Sequence, residues 1–221
     1  ATAGLDDALR VGPVTLLDAE DLVSREEAAA VLGVDPDRPV ALITLGAGNI
    51  NDIGSDLGRF VARLLDEDGL QIVLTRPVIA DDITRFGTRV RGVSLYPVSR
   101  YFRAVDFAVA ASGYNAFHEL FRFGVPTAFA ANTATALDDQ EGRARWAERA
   151  GAALALTEVT EAEVDRVVGV LADPARRAAL SGRCAELGRP NGAGPAMAAI
   201  EAFAAGESPE PGATADLGVS R

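Results

Sequence analysis

An α/β domain of Rossmann-like, three-layer build, with a parallel sheet of about six strands between helices on both faces, is the fold this sequence predicts. Three observations lead there. Short runs such as 40–45 and 107–111 are continuously apolar, as strands buried on both faces must be. Longer stretches between them carry apolar residues at helical spacing. Small or polar residues follow the C-terminal ends of the runs, and in an open parallel sheet that edge is where ligands sit.

The elements follow in order. Ser24 opens a short helix over 25–32, with Glu27 completing a capping box. The turn Asp35-Pro36-Asp37-Arg38-Pro39 delivers the chain to the strand 40–45. A helix over about 53–67 places Leu57, Phe60, Val61, Leu64 and Leu65 on one face. Strands at 71–75 and 90–95 come next, then a short helix at 97–103. The strand 107–111 leads into a helix over 114–123, and the strand 126–130 into a helix over 139–150. A sixth strand, 152–156, precedes the helix 161–171, capped by Thr160 with Glu163. Asp173-Pro174 opens the next helix, as an N-cap with proline in the first position. A last helix covers 193–205. Strands separated by helices favour right-handed parallel crossovers and a Rossmann-like order. Residues 1–38 read as an interdomain linker, marked by Val11-Gly12-Pro13, plus the short helix; 39–205 form the domain; 206–221, rich in Gly, Pro, Ser and acid, read as a disordered tail. There is no internal repeat.

Composition removes several functions. The 221 residues carry a formal charge of -11, which disfavours a nucleic-acid backbone or an anionic membrane face. All 21 basic residues are arginine, so there is no P-loop lysine, no Schiff-base lysine and no lysine base. The Ala/Arg/Gly/Val bias without lysine points to a GC-rich, bacterial coding sequence. The single cysteine, Cys184, excludes an internal disulfide and suits a reducing, cytoplasmic compartment; with the single histidine, His118, it excludes a Cys/His zinc site. No apolar run reaches the ~18 residues of a membrane helix.

The polar residues at the sheet edge carry the chemistry. Gly46-Ala47-Gly48-Asn49 follows the first strand, and small residues there let backbone amides approach a phosphate. An ordinary βα turn explains the same residues, since the next glycine, Gly54, is too distant for a dinucleotide fingerprint. Ser112-Gly113 opens the helix after the fourth strand, where free N–H groups and roughly half a positive charge gather. Ser112 can cap that helix, donate to a phosphate oxygen, or both; Asn115 lies in the same first turn. Glu119, at i+4 from Asn115, shares its face and can accept both hydroxyls of a ribose, or can simply be solvated. In Asp138-Asp139-Gln140, helix N-capping by Asp138 and hydrogen bonding to sugar hydroxyls both explain the residues, and Gln140, with no obvious capping role, favours the second. His118, between Phe117 and Phe121 in helical spacing, reads as packed rather than as a general base. Trp146, the phenylalanines and Cys184 read as structural. Helix amides for a diphosphate, a carboxylate for a ribose, and Asp with Gln for hydroxyls together suit a nucleotide sugar.

These segments resemble a known family. Gly113-Tyr114-Asn115-Ala116-Phe117-His118-Glu119 is similar to the G-[WA]-x-[ST]-x-x-E segment of GT-B glycosyltransferases, and Asp139-Gln140-Glu141-Gly142-Arg143-Ala144 to their D-Q-x-x-N-A segment. Gly124-Val125-Pro126 between them, Thr44-Leu45-Gly46 and Val11-Gly12-Pro13 fit the same pattern. The resemblance covers roughly residues 11–205 and is strongest to the C-terminal, donor-binding half of the lipid-II N-acetylglucosaminyltransferase and the UDP-glycosyltransferases. It departs at Ala111, where many members have histidine, and at Arg143, where Asn is usual; arginine there would add a phosphate or partner contact, or face solvent.

The resemblance implies an inverting, metal-independent hexosyltransferase with no cofactor, whose substrate is a UDP-sugar or a dTDP-sugar. Gly46, Gly48 and Asn49 would line the diphosphate, with Ser112, Gly113 and Asn115 binding it at the helix N-terminus. Glu119 would hold the ribose, Asp139 and Gln140 the sugar, and main chain near Leu95 and Tyr96 the base. The catalytic base and the acceptor site belong to the family's N-terminal domain, so the chain would be incomplete and inactive alone, its acceptor domain supplied in cis or in trans. Two alternatives stay open: a stand-alone donor subunit that needs an acceptor-domain partner, and a GT-B-like nucleotide-sugar epimerase.

Overall fold

The computed structural model describes residues 9–45, 53–75, 87–131 and 138–206. The Gly46-Ala47-Gly48-Asn49 turn, nearly all of the loop after the fifth strand and residues 207–221 of the expected tail lie outside the described residues. The chain divides into two compact units, Leu17–Gly188 and a smaller one made of Ala1–Leu16 with Arg189–Arg221.

In the larger unit strands and helices alternate: α1 (Arg25–Leu32), β1 (Val40–Thr44), α2 (Ile53–Leu65), β2 (Gln71–Thr75), β3 (Val90–Val93), a 3₁₀ helix (Val98–Ala104), β4 (Phe107–Ala111), α3 (Tyr114–Arg122), β5 (Thr127–Ala130), α4 (Gln140–Arg149), β6 (Leu154–Leu156), α5 (Glu161–Leu171) and α6 (Pro174–Leu187). The six strands form one sheet in the order β3-β2-β1-β4-β5-β6. Every pairing is parallel. The order reverses between β1 and β4, so the crevice beyond their carboxyl ends is the topological switch point.

Successive side chains of a strand point to opposite faces, and the apolar runs fill both. Val40, Leu42, Val73, Ala108, Ala110 and Phe129 pack with residues of α1, α3 and α4. Ala41, Ile43, Ile72, Leu74, Val109 and Ala128 pack on the other face with Phe60, Val61 and Leu64 of α2 and Val164, Val167 and Leu171 of α5. The caps expected from sequence form: Ser24 Oγ accepts from the Glu27 amide, Thr160 Oγ1 from Glu163, and Asp173 Oδ1 from Ala175 and Arg176.

Three local expectations change. β3 ends at Val93, so Leu95 lies beyond it, and the segment after it winds as a 3₁₀ helix. Trp146 is 40% exposed although it rests on Phe117 and Phe121, and Phe203 is 79% exposed, so Phe203 is not the packed residue expected.

In the smaller unit, α7 (Ala193–Ala204) is preceded by a turn that grips the N-terminal segment. The Gly192 amide donates to the Pro13 carbonyl (2.8 Å), and the Asn191 side chain accepts from the Thr15 amide and donates to its carbonyl, each at 3.1 Å. A Cβ on Gly192 would stand 2.0 Å from the Gly12 carbonyl oxygen, so only glycine permits this approach.

At the N-terminal edge of the sheet, Asp106 Oδ2 accepts from the Val40 amide (2.8 Å) and from Arg25 Nη2 (3.0 Å). Arg25 Nε also donates to the Pro36 carbonyl, at 2.9 Å. One carboxylate thus joins β1 to α1 just before β4 begins. Replacing it by Asp106→Ala strands the Val40 donor and removes the ion pair with Arg25, and should cost about 1–3 kcal/mol. Urea denaturation measures it; an unchanged midpoint would show that the carboxylate is no structural tie.

Candidate functional site

β4 and β5 end side by side, with Ala111 in register with Ala130. The chain leaves both strands at the same level of the same edge, and the segments that follow start α3 and α4. The starts of the two helices lie close together, since the Ser112 hydroxyl reaches the Gln140 carbonyl at 2.9 Å.

α3 begins at an extended Gly113 (φ -60°, ψ 152°) with no side chain capping it. Its first intrahelical bond is from the Phe117 amide to the Gly113 carbonyl, at 2.9 Å. The amides of the first turn therefore have no acceptor inside the helix and carry the positive end of its dipole. Asn115 is exposed in that turn, and Glu119, half-buried, follows one turn later on the same face.

Ser112 does not cap this helix. It is 0% exposed, and its hydroxyl donates to the Gln140 carbonyl at 2.9 Å. A side chain so enclosed joins the two corners instead of meeting a ligand, which corrects its expected phosphate contact. The α4 corner differs in a similar way. The N-cap is Asp139, not Asp138: Asp139 Oδ1 accepts from the Gly142 amide at 2.8 Å. The carboxylate also fills the space where a Cβ of residue 142 would stand, 2.2 Å from Asp139 Oδ2, so glycine belongs there. Asp139 is nevertheless exposed, and Gln140 is half-buried beside it.

Asp138 is taken by Arg143, whose Nη2 lies 2.6 Å from Oδ1 and 2.7 Å from Oδ2. The same guanidinium donates twice to the Ser112 carbonyl, from Nε at 3.0 Å and Nη2 at 2.8 Å. Arg143 thus does not simply face solvent; its Nε and Nη2 donors bind the frame of the site. The sequence shows the departure from Asn at this position but no signal for the partner, because Ser112 is 31 residues away.

Tyr96 stands 91% exposed on the loop after β3, and Leu95 packs partly against the core. β3 is separated from β4 by β2 and β1, which puts these residues roughly 14 Å along the same edge. Gly46, Gly48 and Asn49 lie outside the described residues, so nothing is added to their expected role.

His118 is packed, as expected, between Tyr114 (ring centroids 4.5 Å apart) and Phe117 (5.2 Å). Burial, and secondarily the charge of Arg143, lower its pKa from 6.5 to about 4. The imidazole is neutral at pH 7 and ill suited to receive a proton there. The unfolded chain takes up this proton at a higher pH than the folded one, so stability is fully present above pH 6.5 and falls as pH drops toward about 4. His118→Gln should flatten that part of the stability curve relative to wild type; parallel curves in denaturant titrations would show that the imidazole carries no such linkage.

No protein-family model matches the sequence, and no curated protein is similar enough in sequence to match. Solved structures do match. The glycosyltransferase of kitacinnamycin is 24% identical with a TM-score of 0.63, over 87% of this chain and 48% of that one. The glycosyltransferase VinC, in complex with dTDP, is 26% identical with a TM-score of 0.55, over 79% of this chain and 40% of that one. MurG of Acinetobacter baumannii is 13% identical with a TM-score of 0.60, over 81% of this chain and 53% of that one. The chain spans about half the length of these proteins. With its single six-stranded parallel sheet, it has the fold of one Rossmann-like half of a GT-B glycosyltransferase.

Proposed function

We propose that this chain binds the nucleotide-sugar donor of an inverting glycosyltransferase that moves a hexose to an acceptor hydroxyl. The observation that carries the proposal is the pairing, at one sheet edge, of the N-terminus of α3, whose N-cap is a glycine, with the Asp139-Gln140 start of α4. A nucleoside diphosphate sugar has an anion and a set of hydroxyls next to one another, and the two corners offer complements to each.

In this reading the first-turn amides of α3, with Gly113 and Asn115, take the diphosphate. Glu119 accepts from the ribose, and Asp139 and Gln140 hold the sugar. The segment at Leu95 and Tyr96 faces the base. Gly46, Gly48 and Asn49 complete the diphosphate contacts, on the strength of the sequence resemblance. As the acceptor oxygen forms its bond to the anomeric carbon, the bond to the donor phosphate breaks and the electron pair leaves with the nucleoside diphosphate. The α3 dipole is already aimed at that growing charge, so it stabilises the transition state without reorganising. Leaving-group charge met by backbone amides needs neither metal nor cofactor. The acceptor's proton goes to a base outside this chain's site residues, on an acceptor domain joined in cis or recruited in trans. The cytoplasmic location expected from the one cysteine belongs to the same proposal; no helix among the described residues is long and apolar enough to cross a membrane.

Uridine and thymidine diphosphates present the same phosphates, but the deoxyribose of dTDP offers Glu119 one hydroxyl where the ribose of UDP offers two. The sequence resemblance favours UDP; dTDP is the nucleotide bound in VinC. Calorimetric titration of the chain with UDP, dTDP and GDP should show one pyrimidine diphosphate bound, and Glu119→Ala should weaken it about tenfold, as expected for losing charge-assisted hydrogen bonds. Equal affinity in the variant would end the ribose role of Glu119, and failure of all three nucleotides would overturn the donor-site reading.

A further inference from the structure

The two corners of the site are joined by few polar links. Arg143 of α4 reaches the Ser112 carbonyl through Nε and Nη2 (3.0 and 2.8 Å) and holds Asp138 through Nη2. In the opposite direction, the Ser112 hydroxyl donates to the Gln140 carbonyl, at 2.9 Å. Ser112 is wholly buried, and the Arg143 side chain is 22% exposed, so water competes little for these bonds. Ser112 immediately precedes the N-cap of α3, and Asp138 immediately precedes the N-cap of α4. The guanidinium therefore grips both helix starts at once.

We propose that Arg143 is a positioning residue that fixes the distance between the α3 N-terminus and the Asp139-Gln140 corner, so that one donor molecule is held at its diphosphate and its sugar together. This rests on the donor-site reading above. The planar fork of arginine is well shaped for such a clamp. Two donors converging on one carbonyl oxygen set direction as well as distance, whereas an ammonium is a point charge on a flexible stem. A ligand gripped at two points gains from both only while their spacing matches its own. Nucleotide alone uses one corner; the nucleotide sugar uses both.

The test compares the full chain with Arg143→Lys and Arg143→Gln, titrated by calorimetry with the bound pyrimidine diphosphate and with its glucose conjugate (UDP with UDP-glucose, dTDP with dTDP-glucose). Affinity for the conjugate should fall about tenfold in both variants, while that for the diphosphate changes much less. A parallel loss of both ligands would reveal general destabilisation and overturn the proposal, as would unchanged binding of both. Ser112→Ala, which removes only the hydroxyl link to Gln140, should reproduce a weaker form of the same selective loss and serves if the Arg143 variants fail to fold. The single histidine supplies a second readout. Its ring resonances should titrate higher in Arg143→Gln, where the neighbouring charge is gone, and stay low in Arg143→Lys. Low titration together with loss of the conjugate would separate the fork from the charge. If wild type binds none of the ligands, the donor-site reading fails. The clamp is then judged on the backbone amide shift of Gly113 in Arg143→Lys: movement supports it, and an unmoved amide refutes it.

Discussion

A sheet buried on both faces leaves its polar backbone only two places to end, and each carbonyl or amide that stops there must find a partner or cost several kcal/mol. In this chain arginine meets much of that demand. Arg89 donates to the carbonyls of Leu65 and Glu67 at the end of α2, Arg177 to Leu171 and Ala172 at the end of α5, Arg183 to Ala150 after α4, and Arg91 to Gly33 after α1. Arg25 does the same for Pro36, Arg38 and Arg103 near the starts of β1 and β4. A guanidinium has five donors in a rigid plane and a charge that favours the negative end of a helix. The absence of lysine, which excludes whole classes of chemistry, is thus matched by a structural use of the cations that remain.

That use shapes the electrostatics of the proposed site. A chain of net charge -11 repels anions at long range, and Arg143 already shares its charge with Asp138. Attraction for a diphosphate must then come from short-range, directional groups, and the α3 amides are such groups. Their strength depends on where they point and on how little they have to move, so a rigid frame around them matters more than added charge. The same guanidinium helps keep His118 neutral beneath the site, which leaves no second titrating cation there near pH 7.

The fold was legible because its determinants are local. Apolar runs bounded by turns gave β2 and β4 to the residue, capping boxes gave α1 and α5, and the caps at Ser24, Thr160 and Asp173 form as their spacing predicts. Of the proposed site residues, Gly113, Asn115, Glu119, Asp139 and Gln140 lie on the two helices that follow β4 and β5. Their roles were less legible. Two consecutive aspartates offer the same capping chemistry, and only the reach of Arg143 decides that Asp138 pairs and Asp139 caps. Ser112 looks like a helix cap in any short window, and its true partner is the carbonyl of a residue 28 positions on. Such pairings belong to the packing of whole helices, which periodicity does not encode.

Packing and polar links divide the work of placing those helices. Phe117 stacks on Phe121 (ring centroids 5.7 Å apart) within α3, meets Phe129 of β5 at 4.8 Å, and reaches Trp146 of α4 at 6.5 Å; Phe121 lies 5.6 Å from Trp146. Aromatic contacts of this kind hold α3 and α4 against the sheet with considerable energy but tolerate several offsets and tilts. They fix how far apart the helices lie, not how their first turns are aligned. Hydrogen bonds are the reverse: modest in net energy, demanding in geometry. The Arg143 fork and the Ser112 hydroxyl sit at the N-terminal ends of these helices, where alignment decides what a ligand meets, and the aromatic cluster lies farther along them. Precision is thereby applied where the chemistry is proposed to occur, and bulk stabilisation where it does not interfere.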